Sequence, residues 1–387
     1  MTLKFSESPA LQIKEIDLTG TVPAVTSTTG ALVGDFNWGP VGTPVLIGNE
    51  TELASVFGNP ASGSTSTGDF LSASYFLKYS SSLYVVNINP GANAVDGVVR
   101  GKYPGSLGNS IEVSVCGPVD AGDTDPNTNE FDTWAYESSF TSAPEGDEVH
   151  LVVLVDGVVV ETFEYVSTVS GSLTDNGTNN YIVDVIDARS SWISLTAVPA
   201  EEDFTLTGGT DGNPNASHYV DGYDAFANKE EVQIDFLIAP VGGQNDIPLL
   251  HAKLVEIATG RKDCVAVASV DYNSALSGDV SSYVASIAQN SSYLVVDSGW
   301  IKVYDKYNDQ YTFIPAASST AGIMAATDNV SAPWFSPAGS RRGQYLGVTE
   351  LLNNPSKSQR DQQYKAGVNP IISKAGQGIM LFGDKTH

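Results

Sequence analysis

Strand-like and helix-like segments alternate from residue 216 onward, and this alternation limits the possible folds more than any other feature of the sequence. The helix-like segments are ASHYVDGYDAFANK (216–229), DIPLLHAKLVEIATG (246–260) and SSYVASIAQN (281–290), and the apolar strand-like runs are VQIDFLIAP (232–240), DCVAVASV (263–270) and SYLVVDS (292–298). Parallel strands need a crossover connection, usually a helix, so this order predicts an α/β body with a mostly parallel or mixed sheet. An earlier helix-like stretch (68–80) followed by a strand-like one (81–90) extends the pattern.

Residues 100–212 interrupt this pattern and differ from the rest in charge. They contain 20 Asp and Glu against Arg100, Lys102 and Arg189, a net charge of −17. Their β-branched runs are SIEVSVCG (110–117), VHLVVLVDGVVVETFEYV (149–166) and SWISLTAV (191–198), with an Asp156-Gly157 hairpin signal inside the second. We therefore predict an all-β domain, barrel-like or sandwich-like, inserted into the α/β body of a multidomain protein.

The domain boundaries follow from these changes of pattern and charge. We expect an N-terminal arm (1–22), the first part of the body (23–97), the acidic and protruding insert (98–212), the second part of the body (213–340), and a basic segment (341–387) that returns to the body. The last segment holds seven Lys or Arg against three Asp or Glu, a net charge of +4. Its candidate partner-facing residues are Lys357, Arg360 and Lys365.

The composition excludes several classes of function. A net charge of −26 disfavours nucleic acid and anionic membrane surfaces as partners. Cys116 and Cys264 lie far apart and form no CxxC pair, which predicts neither a disulfide framework nor a zinc site. The N-terminus lacks the apolar run of a signal peptide, and no stretch reaches the roughly 18 apolar residues of a membrane span. These features favour a reducing, cytosolic setting.

Catalytic signatures are scarce. Neither GxSxG nor GxxxxGK[ST] occurs, and His150, His218, His251 and His387 have no metal-ligand spacing. DTDPNTNE (123–130) begins like a calcium loop, but the sixth and twelfth positions that this loop needs as Gly and Glu are Thr and Trp. We predict no catalytic, cofactor-binding or metal-binding residue.

One pair of carboxylates gives the best argument for an enzyme. Asp271 and Asp297 each follow an apolar strand, and ligands of open α/β sheets bind at the carboxyl ends of the strands. The alternative is that each aspartate accepts hydrogen bonds from nearby loop or helix-start amides. A third possibility is a binding module that presents the acidic insert to host surfaces.

Motifs near both ends and at the domain junctions resemble those of contractile bacteriophage tail sheath proteins. They are SPALQIKEIDLTGTVPAVTSTTGALVGDFNWGPVGTPVLIGNETELASVFGNP (8–60), VRGKYPGSLGNSIEVSV (99–115), FTLTGGTDG (204–212), PSKSQRDQQYKAGVNPI (355–371) and GQGIMLFGDKT (376–386). Family members continue past the last of these with a further C-terminal domain. Because this chain stops at His387, we expect that domain to be absent.

The resemblance implies a structural subunit rather than an enzyme. Such subunits polymerise as stacked six-fold rings into a helical sleeve around the tail tube, contract, and drive the tube through the host envelope. The implied partners are the subunit itself, the tail tube protein, and the baseplate and tail-terminator proteins, in a virion tail assembled in the host cytoplasm. A sheath subunit of a related contractile injection system or phage-tail-like particle is the alternative.

An inter-subunit arm is the remaining prediction. Residues 9–25 suit a segment that adds a strand to a neighbour's sheet edge, with Leu11, Ile13 and Ile16 as candidate contacts. An ordinary first strand of the protein's own domain fits these residues equally well. Trp38, Gly39 and Pro40 are expected to form a rigid turn, with Trp38 as a core anchor.

Overall fold

The computed structural model describes residues 28–61, 65–118, 129–242 and 246–387. Its strands are β1 (Gly30–Gly34), β2 (Val45–Ile47), β3 (Leu83–Asn87), β4 (Val95–Asp96), β5 (Val99–Gly101), β6 (Ile111–Cys116), β7 (Glu148–Val155), β8 (Val158–Ser167), β9 (Ile193–Leu195), β10 (Asp203–Thr205), β11 (Phe236–Ile238), β12 (Val265–Ser269), β13 (Leu294–Asp297), β14 (Trp300–Asp305), β15 (Gln310–Pro315), β16 (Val348–Leu351), β17 (Val368–Asn369), β18 (Ile371–Lys374) and β19 (Gly378–Leu381). Its α-helices are α1 (Glu50–Phe57), α2 (Thr65–Leu77), α3 (Ile182–Arg189), α4 (Ala216–Tyr223), α5 (Ile247–Arg261), α6 (Tyr272–Ser277), α7 (Ser281–Ile287), α8 (Ala317–Val330) and α9 (Lys357–Lys365).

A seven-stranded sheet forms the centre of the molecule, in the order β17-β13-β12-β11-β1-β3-β2. Neighbouring strands are parallel, except that β2 runs antiparallel to β3 at one edge. The predicted α/β protein with a mixed, largely parallel sheet is therefore confirmed. The strands predicted within 232–240, 263–270 and 292–298 are β11, β12 and β13.

Helices cover both faces of this sheet. In β1, Leu32 packs on the side of α2 and α8, in one cluster with Phe70 and Ala321. Its neighbours Ala31 and Val33 point to the other side, in a cluster with Tyr219 of α4 and side chains of α5. All five residues of β1 are buried. A strand that is buried on both faces reads as continuously apolar, which explains why GALVG shows no polar alternation.

Two smaller antiparallel sheets form within residues 95–205. One has the strand order β10-β6-β7-β8 and the other β4-β5-β9. The predicted hairpin at Asp156-Gly157 joins β7 to β8, and both turn residues have a positive φ, 50° and 74°. Asn-Gly and Asp-Gly pairs suit such turns because the backbone is left-handed at both positions. Helix α3 also lies in this stretch, so the expected all-β content was wrong at residues 182–189.

The remaining strands extend the body on the side of α2 and α8. A third antiparallel sheet has the order β15-β14-β16, and β18 and β19 form a hairpin. Ile301 and Ile314 of this sheet are buried in one cluster with Leu71 and Tyr75 of α2. Tyr345, Leu351, Ile371 and Leu381 are buried in the same cluster, so these later strands pack on the body.

Candidate interaction surfaces

Asp271 follows β12, and Asp297 is the last residue of the neighbouring parallel strand β13, so both lie at strand ends as predicted, but they serve the fold. Asp271 is the N-cap of α6 and accepts a hydrogen bond from Ser274 N at 3.0 Å. Asp297 is fully buried and accepts from Thr320 Oγ1 at 2.7 Å and from Gly299 N at 3.2 Å. Burial raises the pKa of Asp297 to about 7, against the lowering effect of these donors.

The first turn of α8 packs on the carboxyl ends of β12 and β13, where the enzyme hypothesis placed a ligand. Ala317 N donates to Ser269 Oγ at 2.8 Å, and Thr320 Oγ1 lies 2.8 Å from Tyr345 OH as well as beside Asp297. Both carboxylates hold backbone and helix starts in place, which is the alternative that the sequence allowed. The contact of Asp297 with α8 was not predicted, because this helix was not predicted from the sequence.

The three basic candidates lie on α9 but differ in exposure. Lys357 and Lys365 are exposed, whereas Arg360 is half-buried and donates from Nη1 to Pro355 O at 2.9 Å. The helix is fixed to the body because Gln359 Nε2 donates to Ser277 O at 3.0 Å and Gln363 Nε2 to Gly278 O at 3.1 Å. Two of the three cations are therefore free to meet another molecule from a rigid helix.

An aromatic cluster joins the body to the acidic segment. Trp38, which follows β1, is only 2% exposed. Its ring stacks on Trp192 with centroids 5.6 Å apart and meets Tyr103 edge-on at 5.4 Å. Trp38 is thus a core anchor, as expected, and it anchors the acidic segment as well as the body. Gly39 beside it has φ +97°, and a Cβ there would lie 2.6 Å from Phe57 Cδ1.

Exposed aromatic side chains mark a second region, after α8. Trp334 and Val330 are each 83% exposed, and Phe335 is 46% exposed with the Arg342 guanidinium 5.2 Å from its ring centroid. Two adjoining cavities of about 360 and 320 Å³ lie beside this loop. Trp334 and Phe335 were not predicted from the sequence, because two adjacent aromatic residues in a Pro-rich loop are equally consistent with a buried and an exposed position.

The buried titratable side chains elsewhere also serve packing. His150 is buried, with Nε2 2.9 Å from Ser142 O and its ring stacked on Phe140. His251 is buried against Tyr283 OH at 3.1 Å, and burial lowers its pKa to about 3. Cys116 and Cys264 are buried free thiols. Within the described ranges, no cluster of three or more His, Cys, Asp or Glu could hold a metal ion.

Two further predictions from the sequence concern the N-terminal arm and membrane spans. The arm residues Leu11, Ile13 and Ile16 lie outside the described residues. None of the helices in the described residues is both long enough and apolar enough to cross a membrane.

In the described residues, the carboxylates of Asp271 and Asp297 serve the fold, and the exposed cations of α9 and the exposed aromatic side chains near the end of α8 are the candidate contact surfaces. Residues 27–88 match the family model "Tail sheath protein Gp18 domain III N-terminal region", and residues 212–387 match "Phage tail sheath protein central domain". The chain belongs to the phage tail sheath protein family, whose members are structural components of virion tails and not enzymes.

Individual relatives agree with this assignment. The tail sheath protein of Salmonella phage ViI is 26% identical, over 100% of this chain and 80% of that protein. The tail sheath protein of Enterobacteria phage T4 is 29% identical, over 76% of this chain and 49% of that protein. The sheath tail protein Lin1278 from Listeria innocua has the same fold, with a TM-score of 0.60 at 16% identity, over 92% of this chain and 68% of that one. This chain thus spans about half the length of the T4 protein.

Proposed function

We propose that this protein is the structural subunit of a contractile phage tail sheath, which polymerises as stacked hexameric rings around a tail tube and contracts to drive the tube through the host envelope. The observation that carries the proposal is the family match on both sides of the acidic segment, at 27–88 and 212–387. Contraction of this kind needs no nucleotide or metal, because the energy lies in the difference between two packings of rigid subunits. The buried body and its capped helices suit a subunit that moves as a unit.

The acidic segment is proposed to be a separate inserted domain, residues 98–212, on the outside of the assembly. The sheet β10-β6-β7-β8 lies wholly within this segment, and Val113, Leu151 and Phe163 from it share a buried cluster, which supports a separate domain. The body is then 23–97 with 213–340, and 341–387 is the basic segment that returns to it. Uniform negative charge on an outer surface favours solubility and disfavours unspecific contacts.

Two surfaces of opposite charge would orient neighbouring copies of the subunit head to tail. The acidic insert carries −17 and residues 341–387 carry +4. Lys357 and Lys365 extend from α9 into solvent and are proposed to face a neighbouring copy or the tube, with Arg360 supporting the helix start. Two different surfaces in contact form a heterologous interface, which extends into a helical tube when it does not close into a ring.

The other proposed partners are the tail tube protein, the baseplate and the tail terminator. Residues 9–25 are proposed to act as an arm that adds a strand to a neighbour, through Leu11, Ile13 and Ile16. Main-chain hydrogen bonds supply the affinity in such strand addition.

Sedimentation velocity over a range of protein concentrations and ionic strengths tests the proposal. Heterologous association yields a series of growing species that shifts to smaller sizes at high salt, because screening weakens contacts between exposed charges. A variant with Lys357→Glu and Lys365→Glu should form smaller species, and its matched control is Lys229→Glu with Lys262→Glu, two exposed cations outside α9 and outside the acidic insert. A closed dimer, or association that salt strengthens, would argue against this function.

A further inference from the structure

Trp334 projects into solvent from a loop that the fold holds in place. Its side chain is 83% exposed, and that of Phe335 beside it is 46% exposed. The backbone around them is fixed, because Phe335 N donates to Ala332 O at 3.0 Å and Gly339 N donates to Leu381 O at 2.8 Å. Large apolar side chains that a fixed segment holds in water are typical of contact sites for another protein.

The same loop, residues 329–344, is cationic, and we name it the Trp334 loop. Arg341 and Arg342 are its only charged side chains, which gives it a net charge of +2. Arg341 is exposed, and the guanidinium of Arg342 lies 5.2 Å from the ring centroid of Phe335. The Trp334 loop therefore presents aromatic rings with positive charge beside them.

A groove of the opposite charge lies between α1 and the acidic segment. Two cavities, of about 570 and 440 Å³, share Ala54 and Trp192 in their walls and so form one groove, which we name the junction groove. Among the described residues that line it, the charged ones are Glu161 and Asp156, both acidic. Glu161 is held in place because its carboxylate accepts a hydrogen bond from Ser191 N at 2.8 Å.

The junction groove also has an aromatic wall. Trp38, Tyr103 and Trp192 line it, and Trp192 is partly exposed. The face of an aromatic ring attracts a second ring or an arginine guanidinium. Glu161 lines the same cavity and can pair with a guanidinium. The junction groove and the Trp334 loop are therefore complementary in ring surface and in charge.

The Trp334 loop and the junction groove lie at opposite ends of the central sheet. Phe335 of the loop lines a cavity together with Phe236 and Val265, the first residues of β11 and β12. The groove wall instead includes Trp38, just after the carboxyl end of β1, which is parallel to β11. A folded chain cannot place its loop in its own groove, whereas two copies stacked head to tail can.

We propose that the Trp334 loop of one copy docks in the junction groove of a second copy. This contact rests on the proposed sheath function and specifies one of the interfaces through which the subunits associate. Trp334 stacks on Trp192 of the other copy, and Arg341 faces the carboxylates of the groove. Because the two surfaces differ, each copy keeps a free loop or a free groove for the next one, and the contact extends without closing.

Mixing two defective variants tests this contact. Trp334→Ala with Arg341→Glu removes the loop side, and Ser55→Arg places a cation at an exposed position of the groove wall, where it repels Arg341. In sedimentation velocity, each variant alone is expected to need a roughly tenfold higher protein concentration than the wild type before larger species appear. An equimolar mixture is expected to form dimers at the wild-type concentration, because one variant keeps its groove and the other its loop.

Matched controls carry the same kinds of change elsewhere. Thr51→Arg adds a cation at an exposed position of α1 outside the groove, and Leu173→Ala with Lys229→Glu removes an exposed apolar side chain and reverses an exposed cation. Both controls should associate as the wild type does.

The outcomes separate this contact from the sheath function. If the wild type associates and neither test variant is weakened, the contact is overturned and the sheath function stands. Weakened variants whose mixture forms no dimer also overturn the contact, because two complementary surfaces would have been restored. A wild-type protein that stays monomeric at every concentration overturns both.

Cross-linking locates the contact on the assembled wild-type fold. Benzophenone-alanine in place of Phe335 is expected to react with residues 54–56 or 191–192 of another copy, which mixing of isotope-labelled and unlabelled chains distinguishes from the same chain. Cross-links between copies that are confined to other segments, the N-terminal arm included, contradict the docking.

Discussion

Trp38 stacks on Trp192 with ring centroids 5.6 Å apart and planes at 29°, and this contact joins the α/β body to the acidic segment. Trp38 follows the first strand of the body, whereas Trp192 directly precedes β9 of the acidic segment. The two parts of the chain therefore share a buried aromatic junction, to which Tyr103 adds an edge-on contact.

Replacing Trp38 with Ala should destabilise the protein strongly. Truncation of a buried aromatic side chain removes its contacts and leaves a cavity, at a cost of about 3–5 kcal/mol. Trp334→Ala is the matched control because Trp334 is 83% exposed, and its effect should stay within about 0.5 kcal/mol. Urea unfolding monitored by circular dichroism checks both values. Equal destabilisation by the two variants would show that the junction contributes little.

Gly39→Ala should cost more than Gly146→Ala. Both glycines have a positive φ, +97° and +64°, where an alanine costs about 1–2 kcal/mol. At Gly39 the new Cβ would also lie 2.6 Å from Phe57 Cδ1 and 2.8 Å from Val56 O, and overpacking adds about 1–3 kcal/mol. At Gly146 no atom lies within 4 Å of that position. Thermal unfolding of both variants measures the difference, and equal melting temperatures would contradict the close packing of this turn.

Asp297→Asn should change the pH dependence of stability. Burial raises the pKa of Asp297 to about 7, whereas the carboxyl of an unfolded chain titrates near about 4. Between these values the folded state binds the extra proton, so the contribution of Asp297 to stability falls as pH rises from about 4 to about 7. The wild-type protein should therefore lose more unfolding free energy over this window than the Asn variant.

Asp271→Asn controls for the loss of a carboxylate at a strand end. Asn is as good an N-cap as Asp, so this variant should keep the cap of α6. Unfolding at a series of pH values is measured for all three proteins. The prediction for Asp297 fails if its Asn variant and the wild-type protein lose stability in parallel between pH 4 and pH 7.

Reversing the exposed charges of α9 should weaken self-association. Lys357→Glu with Lys365→Glu turns two exposed cations into anions, which an acidic partner surface repels. Lys229→Glu with Lys262→Glu, at two exposed cations outside α9 and the acidic insert, changes the net charge equally and should have little effect. The onset concentration of assembly, followed by light scattering, should rise for the α9 variant alone. A rise of equal size in both variants would trace the effect to net charge and not to α9.

The sequence predicted elements whose signals are local. The hairpin at Asp156-Gly157 was predicted because two valine-rich arms flank a pair that tolerates the left-handed backbone. The boundaries of α5 agree within a residue, since Asp246 caps a helix that has Pro248 in its first turn and ends after Arg261.

Elements that depend on tertiary packing were missed. Helix α8 (ASSTAGIMAATDNV) is mostly buried and rich in small residues, so it lacks the apolar stripe that predicts a helix. A Cβ at its Gly322 would lie 2.4 Å from Tyr79 Cδ2, which shows how closely it packs. The roles of Asp271 and Asp297 also depend on which elements pack against the strand ends. Their positions at strand ends were predictable, but the helix start that bonds to Asp297 was not.

Negative-stain electron microscopy of the purified protein tests the sheath assignment most directly. The 387-residue chain is imaged at low and high salt, beside a chimera in which the T4 relative supplies the sequence beyond the matched region. We predict tubes or stacked rings, from the chain alone or from the chimera, that shorten at high salt. Monodisperse particles from both proteins at every salt concentration would contradict the account.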